Sequence, residues 1–202
     1  MATVITGEKW KKVKFDFEYA NKFTLEVSNL GRVRTFNTLS DGNILKGSMI
    51  KGYKIIRLKM YTARDPKVQV KLDADKKKGF KLASEIKQKI ENKETKTSIK
   101  EATIFLEKFK ADLSLRYQKD FKSRTINYHS LVHRLVANAF LKAPKKTEVF
   151  VGHLNHDKLN NKVENLKWMT AEENYAHQLK NPALIKANKL RKAKKLANAK
   201  AK

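Results

Sequence analysis

The spacing of apolar residues changes character along this chain, and that change constrains the fold more than any other feature. Over Phe23-Thr-Leu-Glu-Val27 and Arg32-Val-Arg-Thr-Phe36 apolar and polar residues alternate, the pattern of half-buried strands. Ser28-Asn-Leu-Gly31 separates them as a turn, Asp41-Gly-Asn43 carries a hairpin signal, and the stretch from Gly52 to Met60 reads as a further strand. The alternation puts Val33 on one face and Arg32 and Arg34 on the other, which predicts exposed arginines on a small β-rich module over residues 1–63.

From 64 to 122 the period lengthens. Leu82, Ile86 and Ile90 recur every fourth position, and Ile99, Thr103, Leu106, Phe109 and Leu113 continue one helical face. This predicts a charged helical insertion of two helices joined around Glu94–Thr97, with Ser98 and Glu101 as a capping box. It is either a solvated insertion or a docking surface. Residues 123–182 are mixed. A strand is expected over Thr125–Leu131, a helix over Val132–Phe140 ended by Pro144, and a short strand at Val149–Val151. After a polar loop comes a helix from Ala171, with Thr170 as N-cap and Glu172 and Glu173 in its first turn. The tail, 183–202, has no acidic residue, so like-charge repulsion predicts disorder in isolation and order on a phosphate surface. The fold class is α+β.

Charge narrows the function. Lysine and arginine number 46 against 20 acidic residues, a formal charge of +26 on 202 residues, which points to a polyanionic partner. The absence of cysteine excludes disulfides, thiolate zinc sites and a cysteine nucleophile. No apolar run approaches the roughly 18 residues of a membrane span. The start of the chain lacks the apolar core of a secretory signal, so an intracellular setting is expected: cytoplasm or nucleoid, or an organelle matrix such as the mitochondrion.

The chemistry-bearing stretch runs from Val151 to His177. A histidine, His153, ends a short strand, a loop of side-chain amides follows, and Asn174 and His177 lie three apart on one helical face. A neutral imidazole can take a proton from water, and amide oxygens with a second imidazole can hold a divalent cation. The same residues also suit a polar turn with capping asparagines.

On Gly-His153-Leu-Asn-His-Asp-Lys-Leu-Asn-Asn, then Glu-Asn165-Leu-Lys-Trp, then Thr-Ala-Glu-Glu-Asn174-Tyr-Ala-His177, the chain resembles the HNH endonuclease family in its homing and phage-type branch. Val132-His-Arg-Leu-Val-Ala-Asn-Ala-Phe140 resembles the segment that precedes the nuclease core there. Glu8-Lys-Trp10, Val27-Ser-Asn-Leu-Gly-Arg-Val-Arg34 and Gly52-Tyr53 resemble NUMOD4, a small DNA-binding module. The resemblance implies a ββα-metal core over 123–182, with His153 as general base, Asn165 pinning the loop, and Asn174 as metal ligand, joined by His177. It implies a divalent cation, magnesium foremost, and duplex DNA as partner. Gly152 stands where that pattern has a ligating residue, and Asn155-His156 stands where it has Asp-Gly. Phosphate contacts are expected from Arg32, Arg34, Lys51, Arg134, Lys158, Lys189, Arg191, Lys192, Lys194 and Lys195. The alternative is a scaffold that has lost catalysis, needs no cofactor, and binds structured RNA such as ribosomal RNA beside ribosomal proteins.

Overall fold

The computed structural model describes residues 5–200, with side chains through Ala193. Two compact units divide the chain: 1–16, 22–58 and 128–202 in the first, 17–21 and 59–127 in the second.

The first unit opens with an antiparallel meander. Strands β1 (Trp10–Lys12), β2 (Thr24–Ser28), β3 (Val33–Asn37) and β4 (Ser40–Ile44) lie in that order. Alternation fixes the register: Leu25, Val27 and Val33 are fully buried. The expected turn at Asp41-Gly-Asn43 lies elsewhere. The chain reverses at Thr38 and Leu39, and Asp41–Asn43 sits inside β4, where the register slips between Thr35 and Phe36. Gly42, at φ +77°, passes under the Phe36 ring, where a Cβ would lie 3.1 Å from ring carbons. The Asp-Gly pair marks a β-bulge, a second use of the same left-handed conformation. β5 (Ser48–Ile50) pairs antiparallel with the start of β6 (Tyr53–Tyr61) across a turn at Lys51 and Gly52.

In the second unit, helices α1 (Pro66–Glu91) and α2 (Lys96–Arg124) pack along each other, with Leu72 and Leu106 buried and Gly79 against Phe109. The expected capping box is displaced by one turn. Thr95 caps α2 by accepting from the Ser98 amide at 3.3 Å, while Ser98 donates its hydroxyl to Glu94 at 3.0 Å. Threonine at 95 adopts the extended backbone a cap needs, and Ser98 is already helical. Asp120 accepts from both Arg64 and Arg124, which hold its carboxyl down at about 2 despite the opposing effect of burial.

The chain returns to the first unit along β7 (Thr125–Leu131) and enters α3 (Val132–Phe140). α3 stops at Leu141, which is already extended, before Pro144 is reached. Its buried face, Val132, Leu135 and Val136, meets Leu25, Val27, Val33, Ile56 and Leu166 in a single core. The N-terminal strands and the segment after 128 therefore share one hydrophobic interior. β8 (Phe150–His153) and β9 (Leu166–Met169) form an antiparallel hairpin, followed by α4 (Ala171–Leu179) with the expected Thr170–Glu173 capping box. α5 (Pro182–Lys200) is helical where the sequence predicts disorder. Alanine, leucine and lysine are strong helix formers, and that local preference prevails over the charge repulsion.

Candidate active site

The loop between β8 and β9 is tied by its own amides. Asn165, buried to 8% exposure, accepts from the Asn155 amide at 3.0 Å and donates to the Asn160 carbonyl at 2.8 Å. Asn155 and Asp157 each cap the amide two residues on, at 2.9 Å. Asp157 thus spends its carboxylate on the turn. One side chain, Asn165, bridges both ends of the loop, the pinning role expected of it.

His153 closes β8 at 6% exposure. Its Nε2 lies 3.2 Å from Asn161 Oδ1. The Asn161 amide is oriented because its Nδ2 donates to the Leu159 carbonyl at 3.1 Å. The oxygen therefore faces His153, Nε2 carries the proton, and the lone pair resides on Nδ1. Burial pushes the His153 pKa below the ordinary imidazole value, against a smaller opposing effect of the Asn161 hydrogen bond. The ring stays neutral at neutral pH, the state a general base requires. Asn161, itself 4% exposed, was not singled out by the sequence. Its signal is the left-handed Gly31 (φ +79°), where a Cβ would lie 2.6 Å from the Asn161 Cβ. A turn of the N-terminal module thus packs on the residue that orients the histidine.

Behind His153 stands His133 of α3, ring centroids 4.9 Å apart, and Tyr53 flanks both at 5.1 and 5.8 Å. His133 is 4% exposed, and its Nδ1 is buried without a hydrogen-bond partner among the described residues. Burial first, then the neighbouring His153, depress its pKa from 6.5 to about 4. The unfolded chain then takes up a proton below pH 6.5 that the folded one refuses until about pH 4. Stability is full above pH 6.5 and falls on acidification, by about 1.4 kcal/mol per pH unit within that window. A His133→Phe variant is expected to flatten this part of a denaturation-versus-pH curve.

The cleft in front is about 300 Å³ and contains Tyr53, His153, His156, Lys158, Asn174 and His177 along its wall. Asn174 and His177 are the two half-buried residues of α4, the rest of which is exposed. Both expected metal ligands therefore enter the same cleft as His153. Gly152 also lines it, but a Cβ on Gly152 would lie 2.6 Å from the Met169 thioether. Met169 occupies the direction a side chain at 152 would take. Lys158 lies over the Tyr53 ring at 4.5 Å and donates to the Lys51 carbonyl at 3.2 Å, so its charge is held at the cleft.

The remaining basic residues divide. Arg32 and Arg34 do not stand free on an exposed face, as alternation suggests. Arg32 is bound by Glu8, and Arg34 by Glu26 at 2.7 Å while stacking over Trp10 at 4.1 Å. The carboxylates arrive from β2 and from residues before β1, a long-range pairing invisible to a local pattern. Lys51, Arg134, Lys189, Arg191 and Lys192 are exposed, with Arg134 also donating to the Val149 carbonyl at 3.1 Å. The side chains of Lys194 and Lys195 lie outside the described residues. Lys11, Lys12 and Lys14, not foreseen from the sequence, line a second cleft of about 400 Å³ with Tyr128 and Asn138.

Comparison with known proteins agrees with this arrangement. Residues 8–59 match the family described as NUMOD4 motif, and residues 130–176 match the family described as HNH endonuclease. A protein of Acanthamoeba polyphaga mimivirus named Uncharacterized HNH endonuclease L247 is 50% identical over 52 residues, 25% of this chain and 13% of that protein. YosQ of Bacillus subtilis (strain 168), whose name describes it as a prophage-derived HNH homing endonuclease, is 48% identical over 59 residues, 29% of this chain and 32% of its own length. The matched stretches thus span a third or less of these relatives. No solved structure matches the chain. Among the described residues no helix is long and apolar enough to cross a membrane. With both matches in one chain and in this order, the protein is a NUMOD4-bearing member of the HNH endonuclease family.

Proposed function

We propose that the chain is a DNA endonuclease that hydrolyses phosphodiester bonds with His153 as general base. The observation that carries this is the orientation of His153. Asn161 fixes its tautomer, burial keeps it neutral, and it lines a cleft beside a held lysine. In the reaction His153 would take a proton from water through Nδ1, passing it to solvent afterwards. Lys158 would attract and orient the scissile phosphate. Asn165 would keep the loop rigid so that the base does not drift, since small misplacements are costly in rate. A divalent cation, held by Asn174 and His177, would supply charge neutralisation on the phosphate when bound. The exposed lysines and arginines of the first unit would contact phosphates along the duplex without reading bases.

A second reading is a binding protein for structured RNA without catalysis. One observation favours it: Gly152 offers no ligand, and Met169 fills its place. The two readings separate in a mixed assay. The full chain is incubated with labelled duplex DNA and a labelled structured RNA in the presence of a divalent metal. Cleavage of the duplex is expected. Both nucleic acids remaining intact, with the RNA captured preferentially as salt rises, would favour the second reading.

A further inference from the structure

The geometry points to a transition-metal site in the cleft, built from His156, His177 and Asn174, which prefers a nitrogen-loving ion such as Zn²⁺ or Co²⁺ to Mg²⁺. His156 has a backbone φ of +62°, a region that disfavours side chains with a Cβ. The conformation places its imidazole against that of His177, with ring centroids 4.1 Å apart and planes 32° from parallel. His156 comes from the β8–β9 loop and His177 from α4, so the pair bridges the two elements that flank His153.

His177 is prepared as a ligand. Its Nε2 lies 3.3 Å from the Leu154 carbonyl oxygen, which can only accept. Nε2 therefore carries the proton and Nδ1 presents the lone pair. A ring N–H donated to a backbone carbonyl is the support that metal-binding histidines ordinarily have. His156 makes no hydrogen bond among the described residues, so neither of its ring nitrogens is committed. The contact between the two imidazoles and the partial burial of His156 hold its pKa below the ordinary value, which keeps its lone pair available at neutral pH. Asn174, one turn before His177 on the same half-buried face, adds an amide oxygen.

The donor set decides the metal. No carboxylate lines the cleft among the described residues, and Lys158 adds a positive charge. Magnesium sites ordinarily contain one or two carboxylates, because a hard ion is held by oxygen and charge. Two imidazoles and an amide instead suit zinc, cobalt, nickel or copper. Remaining coordination positions would be open to water or to a phosphate oxygen.

This inference rests on the proposed function only in placing the metal beside the same cleft, and its test needs no nucleic acid. The full chain is titrated with Co²⁺, followed by visible absorption, and with Zn²⁺ and Mg²⁺ by calorimetry. One equivalent of Co²⁺ or Zn²⁺ is expected to bind, and Mg²⁺ to bind much more weakly. His156→Gly relieves the left-handed backbone, so it is expected to fold and to weaken Zn²⁺ binding about tenfold or more. His177→Gln is expected to do the same, while His129→Ala, an exposed histidine of β7, leaves binding unchanged. The inference is overturned by absence of Co²⁺ binding, by preference for Mg²⁺, by affinity unaltered in His156→Gly and His177→Gln, or by equal loss in His129→Ala. A bound metal without any DNA cleavage would sink the proposed function alone. Cleavage with Mg²⁺ but no Co²⁺ binding would sink this inference alone.

Discussion

His153→Ala is expected to lower single-turnover cleavage of duplex DNA by about 10²–10⁴-fold, the range in which general-base catalysis contributes. Binding to the same duplex should change little, since the exposed lysines and arginines that would carry affinity remain. Removing a buried imidazole also opens space beside Tyr53 and His133, so the variant's melting temperature must be read with its rate. Asn161→Ala provides the companion measurement. It leaves the imidazole in place but frees its tautomer and orientation, so a smaller loss is expected, with an altered pH profile. A structural role alone would lower stability without altering the pH profile.

The second large effect concerns the shared core. Leu25→Ala and Leu135→Ala each truncate a side chain no more than 4% exposed, one from β2 and one from α3. Each is expected to cost about 2–5 kcal/mol, the transfer loss plus the cavity left behind. Because both side chains lie in one interior, each variant should lower the melting of the whole first unit, including the strands at the other end of the sequence. Hydrogen exchange of β2 and of α3 should accelerate together in either variant. Acceleration confined to the mutated half would show that the N-terminal strands fold apart from the nuclease segment.

Much of this was legible in the sequence, and the reasons for success and failure differ by residue. The strands around Val27 and Val33, the helix over Val132–Phe140 and the Thr170 cap follow from local periodicity and side-chain chemistry, which act over a few residues. His153, Asn174 and His177 were recognisable because their spacing around an asparagine-rich loop is specific, and the fold brings them to one cleft. The long-range partners were not legible. Glu8 on Arg32, Glu26 on Arg34 and Asn161 on His153 depend on which elements meet, and alternation assigns only a face. The Asp-Gly pair at 41–42 was misread because a tight turn and a β-bulge need the same left-handed glycine, and only the register of the neighbouring strand distinguishes them. The place of Met169 against Gly152 was hidden because β9 lies far along the chain from β8.

The claim at the centre of this account is that a neutral His153, held by Asn161, acts as base. The pH dependence of plasmid nicking tests it most directly. With the His153 pKa depressed by burial, the base form persists into mildly acidic solution. Supercoiled DNA should therefore be nicked at an undiminished rate below the ordinary imidazole range, with a single ionisation limb at lower pH that is absent from the residual activity of His153→Ala. A limb at or above the ordinary imidazole value, an identical limb in His153→Ala, or no nicking at any pH with any divalent metal would contradict it.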